Sequence, residues 1–146
     1  MTLTQEQVRQ TLTSPIIYLN INRSEIEARK ENFLFATSGL AEKAYKDTII
    51  VDSKGTSFKI KKVSEIGRPL FWTSIKYFSP VKEVLPDIDG DIKTISVDEF
   101  KKLILDTISK KPRAWAALDS VENISKDIHK LKTYKEIISF FNPKLK

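Results

Sequence analysis

The chain has 146 residues, 40% apolar and 30% charged, with four glycines, six prolines and a net charge of +6. That size and composition predict one folded domain over residues 1–146 with a core of its own, and exclude a low-complexity or extensively disordered chain. Cysteine is absent, which excludes thiol catalysis, disulfides and cysteine-based zinc sites. The opening MTLTQEQVRQTL lacks the basic-then-apolar pattern of a signal peptide. No apolar run approaches the roughly twenty residues of a membrane span, so a cytoplasmic protein is expected.

In chain order, Thr4 and Gln7 form a capping box that predicts a helix from Gln5 to Leu12. Pro15 separates it from Ile16–Ile21, whose β-branched and aromatic residues suit a strand. Ser24 and Glu27 repeat the capping pattern and suggest a second helix. Between Asn32 and Lys46 the signals conflict, because Phe33 and Phe35 alternate as in a strand while SGLAEKAYK suits a helix. Thr48–Val51 and Thr56–Val63 read as a hairpin around Asp52–Gly55, with glycine at a position of positive φ. Leu70–Phe78 is a third strand of this region, ended by Pro80. Short runs at Val81–Leu85 and Asp91–Ile95 flank the turn-like PDIDGD.

Ser96 and Glu99 then cap a helix from Val97 to about Ser109, with Phe100, Leu103, Ile104 and Ile108 on one face. Ala114–Leu118 is expected as a last strand. Val121, Ile124, Ile128 and Leu131 mark a further helix, and Thr133 with Glu136 caps a final one carrying Tyr134, Ile137, Ile138 and Phe141. The aromatics Trp115, Tyr134, Phe140 and Phe141 are expected in the core or in helix packing. Together these elements predict an α+β fold: a central antiparallel β-sheet of hairpins, with helices from the N-terminus and C-terminus packed on one face.

Charge is unevenly distributed. From Lys54 to Lys82 there are seven basic residues and one acid, whereas Glu83 to Asp106 holds seven acids and three lysines. Such segregation predicts separate basic and acidic surfaces suited to a charged partner. Strand alternation in Phe58–Val63 sends Phe58 and Ile60 to one face and Lys59, Lys61 and Val63 to the other. In Leu70–Tyr77 it sets Phe71, Ile75 and Tyr77 against Trp72 and Lys76. If Trp72 and Lys76 share the face of Lys59 and Lys61, the candidate partner-binding set is Lys59, Lys61, Lys62, Arg68, Trp72 and Lys76, an aromatic among cations. The alternative is a solvated lysine face that protects an edge strand, with Trp72 buried beneath a helix.

No catalytic residue, metal ligand or cofactor is assigned. Asp87, Asp89 and Asp91 resemble the start of an EF-hand loop, but Ile92 and Asp98 occupy the positions that require glycine and glutamate, so a solvated acidic turn is expected instead. His129 is the only histidine and has no nucleophile motif beside it. The four glycines are too dispersed for a dinucleotide fingerprint or a P-loop. Glu25 with Glu27, and Asp98 with Glu99, are accounted for as first-turn acids on helix dipoles.

IIVDSKGTSFKIKKV, followed by a strand, an acidic turn and SVDEFKKLILDTI, resembles the small bacterial immunity proteins of contact-dependent or polymorphic toxin systems, over about residues 48–141. That resemblance implies stoichiometric occlusion of a cognate toxin whose surface is acidic or of mixed charge, and carries over no individual residue. The function expected is non-enzymatic protein binding, with no membrane and no small-molecule cofactor involved. The alternative is a nucleic-acid-binding domain using the basic sheet face, against which stands the acidic segment from Glu83 to Asp106.

Overall fold

Five consecutive residues, Ile16–Asn20, are all buried, and this decides the architecture. A strand that is apolar on both faces must be covered on both. The computed structural model of the protein describes residues 1–37, 40–69 and 81–145, with only the backbone considered at 65–69 and 81. Its strands are β1 (Ile16–Asn20), β2 (Glu25–Arg29), β3 (Leu34–Thr37), β4 (Ile49–Asp52), β5 (Thr56–Pro69) and β6 (Val81–Thr94). They form one antiparallel sheet in the order β2-β1-β4-β5-β6-β3. The helices are α1 (Gln5–Thr11), α2 (Ala41–Tyr45), α3 (Val97–Ser109), α4 (Pro112–Trp115), α5 (Val121–Lys130) and α6 (Tyr134–Phe141), followed by a 3-10 turn at Pro143–Leu145.

The α+β class with an antiparallel sheet is therefore as expected, but the terminal helices do not share a face. Ile16, Tyr18, Ile50, Phe58 and Ile60 pack with Leu3, Val8 and Leu12 of the N-terminal segment and with Ala41 and Tyr45 of α2. Their alternate neighbours Ile17, Leu19 and Val51 pack instead with Phe100, Ile104 and Ile108 of α3, Ile124 and Ile128 of α5, and Ile137 and Ile138 of α6. The period-2 alternation of β1 thus divides the interior into two cores.

Local chemistry sets most helix starts. Thr4 Oγ1 accepts from Gln7 N at 3.1 Å while Gln7 Oε1 accepts from Thr4 N at 2.9 Å. The hydroxyls of Ser96, Ser120 and Thr133 each accept from the N–H three residues on to cap α3, α5 and α6, without the reciprocal bond. Ser24 does not cap a helix. Its φ is +53°, its hydroxyl donates to Thr107 O at 2.5 Å, and the following residues are β2, with Ile26 and Ala28 opposite Leu19 and Ile17. Ala114–Leu118 is likewise not a strand: Pro112 occupies the first turn of α4, where a missing N–H is harmless, and Ala116 N bonds Pro112 O at 3.0 Å.

The PDIDGD segment is also different from expectation, because β6 runs through it without a turn. Pro86 O accepts from Leu3 N at 2.9 Å, so the missing N–H of Pro86 faces the N-terminal segment rather than β5. Gly90, at φ +86°, absorbs the irregular register between the Ser57–Lys93 and Lys59–Asp89 pairs. The expected strand at Leu70–Phe78 lies outside the described residues. Although β2 and β3 are opposite edges of the sheet, only residues 30–33 join them, so the sheet must curl until its edges approach.

Candidate functional site

The basic strand β5 lies directly beside the acidic strand β6. Lys59 is opposite Asp89 and Lys62 is opposite Asp87. At these positions, charge that is segregated along the chain is interleaved in space. Phe58 and Ile60 are buried in the core shared with α1 and α2, whereas Lys59, Lys61 and Lys62 are exposed. Between Ile60 and Lys62 the ladder holds one more residue on β5 than on β6. This bulge puts two successive lysines in solvent and returns Val63 to the core of Phe58 and Ile60, correcting its expected place on the lysine face.

On the other face, β5 and β6 form one wall of a cleft of about 640 Å³ whose second wall is α3. Helical spacing aims Glu99, Lys102, Leu103 and Asp106 into it. The sheet side contributes Lys59, Asp89, Asp91 and Lys93, with Ile49 and Ile95 of the α3-side core also in the lining. Three ammonium groups and four carboxylates thus share one concavity. No ion pair among the described residues uses Lys59, Lys61 or Lys62.

Other acids of the same segment serve the fold. Glu83 is buried, paired with Arg9 at 2.8 Å and hydrogen-bonded by Gln5 at 3.0 Å, tying α1 to β6. Asp87 lies 3.1 Å from the Met1 amine, whose hydrogen bond and charge, with Lys62 and Lys61, hold its carboxyl below the ordinary value against partial desolvation. Of the remaining candidates, Arg68 falls in the backbone of β5 but its side chain is outside the described residues, as are Trp72 and Lys76. The juxtaposition of Trp72 with the lysines accordingly lies outside the described residues.

A second polar group was not legible in the sequence. Arg29 of β2 is sandwiched between the rings of Tyr18 and Phe35, 4.5 and 4.3 Å from their centroids. It pairs in bidentate fashion with Glu27, at 2.8 and 3.1 Å, and donates to Tyr18 Oη and Tyr45 Oη, each at 3.2 Å. Burial works against the guanidinium, but the two phenols and Glu27 outweigh it and raise its pKa further. Burial also raises both tyrosines, opposed by the Arg29 charge. The spacing of residues 18, 27, 29, 35 and 45 carries no signal for this assembly, which exists only once the sheet curls.

Among the described residues no group of three histidine, cysteine, aspartate or glutamate side chains is placed to hold a metal ion, and no helix is long and apolar enough to cross a membrane. Compared with family models, curated proteins and solved structures, the chain matches none.

Proposed function

We propose that the chain is a non-enzymatic protein-binding module acting in the cytoplasm, an immunity protein that neutralises a bacterial toxin by direct binding. The observation that supports protein binding is the mixed-charge cleft, in which Lys59, Lys93 and Lys102 alternate with Asp89, Asp91, Glu99 and Asp106. A nucleic-acid backbone is uniformly anionic and would be repelled by the four carboxylates. A protein surface carries both signs, and a matched pattern both steers encounter and rejects wrong partners. The exposed Lys61 and Lys62 follow Lys59 on the same strand and add cationic contacts; Arg68, Trp72 and Lys76 complete the proposed partner-binding set.

The test is to mix the purified chain with the toxin encoded by a neighbouring reading frame and to measure complex formation at low and at physiological salt. A salt-sensitive complex that inactivates the toxin is expected. Failure to form a complex at low salt refutes the immunity reading. Binding of duplex DNA or RNA under the same conditions, with no protein complex, would favour the nucleic-acid alternative built on the same lysines.

A further inference from the structure

The corner formed by α4, α5 and α6 holds a second recess of about 520 Å³ that shares no lining residue with the β5–β6 cleft. Its walls include Trp115, Phe140, Phe141 and Ile124. Phe141 stands at 85° to Trp115 and Phe140 at 76° to Phe141, with centroids 6.1 and 5.1 Å apart. Leu118, at its mouth, is 76% exposed, and Ala114, Ala116 and Ala117 beside it are exposed too. An exposed leucine at the mouth of an aromatic-walled recess is the kind of apolar surface that marks an interaction site when it is not a scattered single residue.

Its tryptophan is anchored from behind. The Trp115 indole N–H donates to Ser24 Oγ at 2.8 Å, and Ser24 in turn donates to Thr107 O. A backbone held at φ +53° thus fixes the tryptophan from behind, lowering the ordering cost of a ligand.

Its charge is opposite to that of the chain. In a protein of net charge +6, the lining contains Asp119 and Asp127 and no cation. Asp119 uses Oδ1 for Ser120 N and Asn123 Nδ2, and Asp127 enters no ion pair among the described residues. Aromatic walls with carboxylates at the rim suit a long apolar stem ending in a delocalised cation. We infer that this recess takes an arginine side chain of a protein partner, its guanidinium stacked on the aromatic walls and paired with Asp119 and Asp127.

The test titrates the intact, isotope-labelled protein with N-acetyl-arginine amide and, separately, with its neutral isostere N-acetyl-citrulline amide. The readout is the indole N–H resonance of Trp115, assigned by its loss in Trp115→Phe. A saturable shift is expected, with arginine bound roughly fivefold tighter than citrulline. The folded double variant Asp119→Asn with Asp127→Asn should abolish that preference. No saturable shift, an equal response to citrulline, or an undiminished preference in the double variant would overturn the assignment. None of these outcomes bears on the toxin-binding test, because the β5–β6 cleft is untouched.

Discussion

Arg29 on β2 donates to the main-chain carbonyl of Phe35 on β3 across 3.4 Å, joining the two edges of the curled sheet through a side chain. Tyr45 of α2 bonds both the N–H and the carbonyl of Phe35, at 3.2 and 2.5 Å, and completes the closure. Arg29→Ala leaves the Tyr18 hydroxyl without this partner and opens the seam, so a loss of about 2–4 kcal/mol in urea-induced unfolding is expected. Arg29→Lys should recover less than half, because an ammonium reproduces neither the bidentate pairing nor the stacking.

The phenols beside Arg29 confer a pH dependence. Both have folded-state pKa values above the ordinary tyrosine value, chiefly because burial disfavours the phenolate. Their contribution to stability is full below the unfolded value near 10 and falls as pH rises through the folded values. Stability should therefore decline above about pH 10, more gently in Tyr18→Phe and Tyr45→Phe. Phenolate absorbance gives an independent check: each variant should lose one late-titrating chromophore.

Gly55 and Tyr134 are in intimate contact. A Cβ at Gly55, whose φ is +84°, would lie 2.5 Å from the tyrosine ring, and Tyr134 Oη is held by a 2.6 Å bond to Ile95 O. Gly55→Ala should cost about 2–3 kcal/mol through overlap and backbone strain together. In a Tyr134→Ala background only the strain, about 1 kcal/mol, should persist. Chemical denaturation of the four proteins in this double-mutant cycle measures the difference.

Asp52 is fully buried at the β4–β5 turn, where its carboxylate accepts from the N–H groups of Thr13, Lys54 and Thr56 at 2.8–2.9 Å. Asp52→Ala orphans three donors and should destabilise by about 3 kcal/mol or more. Asp52→Asn, with a single acceptor oxygen, should retain only one side of the turn. Faster amide exchange at Thr13 or at Lys54 and Thr56 would identify which.

The exposed lysines should behave in the opposite way. The combined charge reversal of Lys59, Lys61 and Lys62 should alter folding stability by only about 0.5 kcal/mol per site. It should slow association with an acidic or mixed-charge partner by roughly tenfold or more at low salt. Stopped-flow association rates against ionic strength check this, and an unchanged rate would remove the lysines from the interface.

Local signals in the sequence were reliable at the helix caps and at the hairpin glycine, where the determining atoms lie within a few residues, but not at Ala114–Leu118 or PDIDGD. Caps at Thr4, Ser96 and Thr133 set helix starts because hydroxyl and amide are three positions apart, and Gly55 marked the hairpin because its φ is a local requirement. The same cap pattern misled at Ser24, whose hydroxyl is claimed by Thr107 and Trp115, more than eighty residues away. Alternation likewise placed Phe58, Lys59 and Ile60 but not Val63, because a bulge is a property of two paired strands rather than of one.

The sequence by itself determined which segments were apolar on one face, where most helices begin, and that β5 is cationic and the segment after it acidic. Tertiary structure alone decided that those two segments lie side by side, turning a bipolar chain into a mixed-charge cleft. It also decided that helices cover both faces of the sheet and that Arg29 closes its edges. The physical reason is the same in each case: register and curvature bring together residues tens of positions apart, and neither hydrophobic period nor local charge encodes which distant strand will be the neighbour.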